Sequence, residues 1–211
     1  YEALADDPEV DAVYIATPHP QHEKWAIRAA EAGKHILCEK PLTVNAKQAE
    51  RVIEAARKHD VFLMEAFMYR CHPQTAKVVE LIREKAIGEV RVIQATFGFR
   101  SAWDLEHRAL NHDLAGGGIL DVGCYPVSFS RLVAGVAQGK DFADPIDLEG
   151  FGFIGKESRV DEYAVAQLRF PRDIFAQVGT GVQVRIENIV RIHGTEGIIH
   201  VPVPWGPGID G

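Results

Sequence analysis

Gly33-Lys34-His35-Ile36-Leu37-Cys38-Glu39-Lys40-Pro41 is the stretch on which the reading of this chain turns. A glycine able to end a helix precedes a short apolar run, and an acid, a base and a helix-breaking proline follow it. The order is helix, buried strand, loop. In open α/β sheets ligands bind at the carboxyl ends of parallel strands, which is where Glu39 and Lys40 fall. Pro41 biases Lys40 towards an extended backbone and gives its side chain a defined direction. The plain alternative is a surface lysine paired with Glu39, and the tripeptide alone leaves both open.

Upstream, Val13-Tyr14-Ile15 is a second short apolar run, bounded by Pro8 and by Thr17-Pro18-His19-Pro20, and it predicts another buried strand. Between the two runs a helix is expected from about Pro20, with Trp25, Ala26, Ala29 and Ala30 on one face and Gly33 as its stop. Downstream, Ala49, Val52, Ile53 and Ala56 follow the spacing of an amphipathic helix. Asn45 with Gln48 three residues on resembles a capping box. Val61 to Ala66 predicts a third strand. Strands alternating with helices imply right-handed crossovers and a parallel sheet, about half of a doubly wound domain.

A different regime begins near residue 70. A helix is expected from Pro73 to Lys85, closed by Gly88. Val90 to Phe99 then alternates, with Ile93, Ala95, Phe97 and Phe99 on one side, as a sheet with one covered face should. Similar runs at 163–170, 174–178 and 189–193, and a Gly194-Thr-Glu-Gly197 turn into 198–201, predict an α+β domain on an antiparallel sheet. The expected division is therefore α/β: residues 1–70 as part of a parallel sheet, and 71–211 as an α+β domain with a mainly antiparallel open sheet.

The 211 residues, 46% apolar, suffice for a substantial core, and a formal charge of −7 speaks against a nucleic-acid backbone as partner. No run of about 18 apolar residues is seen, so no membrane-spanning helix is expected. Cys38, Cys71 and Cys124 are odd in number and form no Cys-x-x-Cys pair, which suits free thiols in a reducing, cytoplasmic setting. Tyr1-Glu2-Ala3-Leu4 reads as the middle of a helix and Trp205 to Gly211 as a cut loop, so a piece of a longer chain is expected.

Two features could carry chemistry. Lys40 at a strand end can polarise a substrate hydroxyl. Leu114 to Pro126 is glycine-rich at 116–118, and Asp121 and Tyr125, four apart, share a face if helical. Pro126 requires that the helix bends there or that the proline occupies its first turn. A tyrosine phenol, with a pKa near 10, needs a cation to serve as a base at neutral pH. A tyrosine with an ordinary hydrogen-bond partner and a helix-start aspartate is the bland alternative. The nine histidines, including His19 and His22 and the pair His107 and His112, show no familiar ligand spacing, and no metal is expected. Neither Gly116 to Gly118 nor Gly179-Thr-Gly181 lies between a parallel strand and a crossover helix, as a phosphate-binding loop requires.

Four ordered motifs, at 16–22, 33–42, 65–73 and 116–126, give the chain a resemblance to the glucose-fructose oxidoreductase, inositol dehydrogenase and rhizopine-catabolism family, in the branch of sugar 1-dehydrogenases and dimeric dihydrodiol dehydrogenases. The resemblance implies a Rossmann domain binding NADP or NAD, a sugar or cyclic diol substrate, and a homodimer or higher oligomer formed through the open sheet. It implies Lys40 and Tyr125 as catalytic residues with Asp121 in support. Thr17, Pro18, His22, Glu39, Lys40 and Arg108 are implied at the cofactor, and Arg70 and Tyr125 at the substrate. His19 stands where many members have Asn. The family's Gly-x-Gly-x-x-Gly loop belongs to strands before Tyr1, so weak or no dinucleotide binding is expected of these residues alone. A non-catalytic NAD(P)-binding regulator and an NAD-dependent glycosidase are the alternatives.

Overall fold

The computed structural model describes residues 1–208. The end of the expected terminal loop, 209–211, lies outside the described residues. Two compact units divide the chain: Tyr1–Phe67 with Asp113–Ala115, and Met68–His112 with Gly116–Gly211.

The first unit runs α1 (Glu2–Asp6), β1 (Ala12–Ile15), α2 (His22–Glu31), β2 (His35–Cys38), α3 (Ala46–Lys58) and β3 (Leu63–Glu65). The three strands are parallel in the order β1-β2-β3. Gly33 ends the α2 turn at φ +72°, the left-handed region that its missing Cβ makes accessible. Asn45 caps α3 by accepting the Gln48 N–H at 3.0 Å, while the Gln48 side chain accepts the Val44 N–H at 3.3 Å, one residue earlier than in the usual reciprocal box. Ala26, Ala29 and Ala30 of α2 and Val52 of α3 pack on Val13, Ile15, Ile36 and Cys38. The strands differ from the buried runs expected: Tyr14 is 58% exposed and Leu37 39%. Both helices cover one face, and side chains of a strand alternate between faces.

The second unit contains α4 (Pro73–Arg83), β4 (Val90–Gly98), a π-helical turn (Ile119–Gly123) that continues into α5 (Cys124–Val136), and strands β5 (Asp147–Ile154), β6 (Asp161–Phe170), β7 (Ile174–Gly181), β8 (Val190–Gly194) and β9 (Ile198–Val201). The sheet order is β5-β6-β7-β4-β8-β9. All pairs are antiparallel except β4 with β7, so the sheet is mixed rather than wholly antiparallel. The connection between these parallel partners runs through α5, β5 and β6. Strand β5 escaped sequence reading because Gly150 and Gly152 interrupt it and every one of its residues is exposed. Ile93, Ala95, Leu168, Phe170, Ala176 and Ile192 are buried on the helix-covered side.

The run His112–Val136 has the length and mean hydropathy of a membrane span, yet 67% of its most apolar window is buried inside the protein. Burial of that extent is the signature of a core helix.

Candidate active site

In the first unit the loops after β1 and β2 are tied together by His22. Its ring is fully buried, with Nδ1 2.8 Å from the Pro41 carbonyl and Nε2 2.8 Å from the Thr17 carbonyl. Both ring nitrogens are engaged with backbone carbonyls, so His22 braces the loop after β1 against the loop after β2. His19, 8% exposed, places Nδ1 3.1 Å from the Ala115 carbonyl.

Glu39 accepts from the Tyr14 hydroxyl at 2.6 Å and from the Lys40 N–H at 3.2 Å. That hydrogen bond to Glu39 is the main reason the Tyr14 phenol is held above its ordinary pKa. The Lys40–Pro41 peptide is cis, and Lys40 follows the end of β2 as expected of a ligand-edge residue. The Thr17 hydroxyl is buried with no hydrogen-bond partner among the described residues. An orphaned hydroxyl at the carboxyl end of a parallel strand fits a loop that receives a polar ligand group.

Beneath the loop, burial pushes the Cys38 thiol up to about 12, with Glu65 and Glu39 adding to the effect. Cys71 is exposed. Alkylation at pH 8 followed by mass spectrometry is expected to modify Cys71 and spare Cys38 until the protein unfolds, because only the thiolate reacts. Equal labelling rates would contradict this.

In the second unit Asp121 and Tyr125 are 1% and 4% exposed. Asp121 lies in the π-helical turn, and Pro126 follows that turn directly, as the third residue of α5. Arg108 donates from Nη1 to Asp121 Oδ1 at 2.7 Å, its own side chain 55% exposed. Arg108 therefore serves the buried carboxylate directly. The Tyr125 ring meets Phe97 edge-on at 5.1 Å, Tyr69 at 5.8 Å and Trp205 at 5.7 Å. Beside it, Arg70 donates to Ser128 Oγ at 2.5 Å and lies over the Phe142 ring at 4.3 Å. The Tyr69 hydroxyl is 3.0 Å from Ser128 Oγ, and burial raises its pKa against the pull of Arg70 and Ser128.

The glycines of this segment serve close packing. A Cβ on Gly116 would lie 2.7 Å from the Arg108 carbonyl oxygen, and one on Gly118 3.0 Å from Gly181 Cα. Gly117 adopts φ +110°. The spacing Gly150-x-Gly-x-x-Gly155, which matches a dinucleotide fingerprint in letters, runs along and just past the antiparallel edge strand β5 with no crossover helix after it. Two residues that sequence reading missed shape the neighbourhood: Asp161, 42 positions from the backbone it binds, and Trp205, in a Gly/Pro-rich stretch read as a mere loop.

Three parallel strands with two covering helices and a ligand-edge lysine, then an open mixed sheet bearing a buried acid and tyrosine on one helical segment, define a Rossmann-type unit joined to an open-sheet α+β unit. The chain belongs to the GFO/IDH/MocA oxidoreductases: residues 1–67 match the oxidoreductase family with an NAD-binding Rossmann fold, and residues 75–200 match the GFO/IDH/MocA C-terminal domain. It is 38% identical to trans-1,2-dihydrobenzene-1,2-diol dehydrogenase of Xenopus tropicalis over 208 residues, 98% of this chain and 60% of that protein. It is 41% identical to D-xylose 1-dehydrogenase (NADP(+)) 2 of Haloferax volcanii over 163 residues, 77% of this chain and 50% of that protein. A solved structure of a 3-ketoreductase variant from Actinomadura kijaniata, in complex with TDP-benzene and NADP, superposes with a TM-score of 0.86 at 32% identity, covering 99% of this chain and 62% of that one. The chain thus spans 50–60% of the length of these curated relatives.

Proposed function

We propose that the protein oxidises a hydroxyl of a sugar or cyclic diol with NADP or NAD. The observation that carries this is a buried tyrosine, Tyr125, fixed by an aromatic cluster on the same helical segment as the buried acid Asp121. The relatives named dehydrogenases point to the same chemistry. Tyr125 takes the hydroxyl proton, and Lys40 contributes the cation that a phenolate needs at neutral pH. Asp121, held by Arg108, orients the segment, and Arg70 presents a guanidinium to the substrate. The bound nicotinamide supplies the hydride acceptor. Thr17, Pro18 and Glu39 hold that end of the cofactor, with His22 bracing the loop.

The face of the mixed sheet away from α5 supports a homodimer. Phe151, Phe153, Tyr163, Val165 and Phe175 are 43–73% exposed there, and Phe153 stacks on Tyr163 at 5.2 Å. Three free thiols support a reducing, cytoplasmic setting.

Steady-state assays with NADP+ and NAD+, offering D-xylose and a trans-dihydrodiol, test the reading. Net accumulation of reduced cofactor is expected. Turnover of a glycoside without accumulation would point to a returned hydride, and cofactor binding without turnover of any polyol to a regulator.

A further inference from the structure

We propose that Asp161 is a positioning residue for this reaction: from the start of β6 its carboxylate caps the helical segment bearing Asp121 and Tyr125, and so sets where those side chains lie. The proposal rests on the role read for Tyr125. A helix begins with backbone N–H groups that have no partner in the helix itself. The residue before this one is Gly118, which has no side chain to offer, and no local cap is made. Asp161 supplies the acceptor from across the sheet. The Ile119 N–H donates to Oδ2 at 2.6 Å, and the Gly118 N–H is directed at the same carboxylate.

The glycines make room for it. A Cβ on Gly117 would lie 2.2 Å from Asp161 Oδ1, so any other residue would push the carboxylate away. A second tie pins the same point, since the Thr180 hydroxyl of β7 donates to the Gly118 carbonyl at 3.0 Å. The Asp121 N–H in turn donates to the Gly117 carbonyl at 3.2 Å, so the acid sits within one turn of the capped residues. Burial raises the Asp161 pKa while the N–H groups of Ile119, Asp161 and Gly118 lower it. A carboxylate at a helix start also meets the positive end of the helix dipole.

The test compares wild-type protein with Asp161→Ala and Asp161→Asn. Asp161→Ala is expected to lower kcat tenfold or more, keep cofactor affinity within twofold, and speed amide exchange at Ile119 at least tenfold while Phe129 to Val133 stay protected. Asparagine caps about as well as aspartate, so Asp161→Asn should regain most of kcat and of the Ile119 protection. Unchanged Ile119 protection in Asp161→Ala would overturn the cap, and faster exchange with unchanged kcat would overturn the positioning role. If wild-type protein turns over no polyol, the functional reading fails by itself. Asp161 is then judged by the Ile119 amide and the Tyr125 ring resonances, whose indifference to Asp161→Asn and Asp161→Ala would overturn it.

Discussion

Tyr125→Phe is expected to lower kcat by about 10²-fold or more, the usual worth of a general base, while leaving the fold intact. The substitution removes one oxygen and keeps the ring that meets Phe97, Tyr69 and Trp205. Stability should therefore change little beyond the net worth of the hydroxyl's own contacts, about 1 kcal/mol each. Cofactor affinity should hold, because the residues assigned to the cofactor, apart from Arg108, belong to residues 1–67. An equal fall in kcat and kcat/KM marks an interaction made only in the transition state. Lys40→Met should act in the same direction, and the double variant should fall by less than the product of the two, as groups that act as a unit do. A loss below tenfold for Tyr125→Phe would remove the phenol from the proton transfer.

The parallel unit was largely legible because its signals are local. Gly33 reads as a helix stop from its freedom at positive φ, and α2 and α3 read from the spacing of Ala26, Ala29, Ala30, Val52 and Ala56. What the pattern hid was that one face is open: three-residue runs such as Val13-Tyr14-Ile15 are too short to separate a strand buried on both faces from one that alternates. In the second unit β5 was hidden by its glycines, and β4 beside β7 by the fact that a parallel pairing leaves no trace in either strand's own sequence. The same division holds for the site. Lys40, Asp121 and Tyr125 stand out by residue type at a strand end or after glycines. The bracing role of His22 was not legible, because nothing in its sequence neighbourhood reveals two backbone carbonyls meeting its ring. Asp161 and Trp205 act through contacts across 42 and 76 or more positions, and only the fold brings them into place.

Trp205→Ala is expected to destabilise the second unit by about 3–5 kcal/mol, the range for truncating a buried aromatic side chain. Trp205 is 3% exposed and is the hub of the aromatic cluster. Its ring stacks on Phe97 at 5.7 Å with 13° between planes, and stands edge-on to Tyr69 at 5.6 Å, Tyr125 at 5.7 Å and Phe129 at 5.8 Å. Its indole N–H donates to the Thr96 carbonyl at 2.8 Å, so the residue also satisfies a backbone acceptor of β4. Trp205→Phe keeps much of the apolar contact and forfeits that hydrogen bond, for a smaller cost of about 1–3 kcal/mol. Urea unfolding of the two variants measures both numbers, and a shift below about 1 kcal/mol for the alanine variant would contradict a hub role, since an ordinary surface change moves stability by about 0.5 kcal/mol. The cluster also walls the Tyr125 ring on one side. Loss of Trp205 should therefore lower kcat under conditions where the variant remains folded, whereas Tyr125→Phe lowers kcat with stability preserved. The two substitutions separate the ring's anchorage from the oxygen's chemistry: if Trp205→Ala were folded and fully active, the tyrosine would hold its place without the cluster, and Asp161 at the head of the segment would be the remaining control of its position.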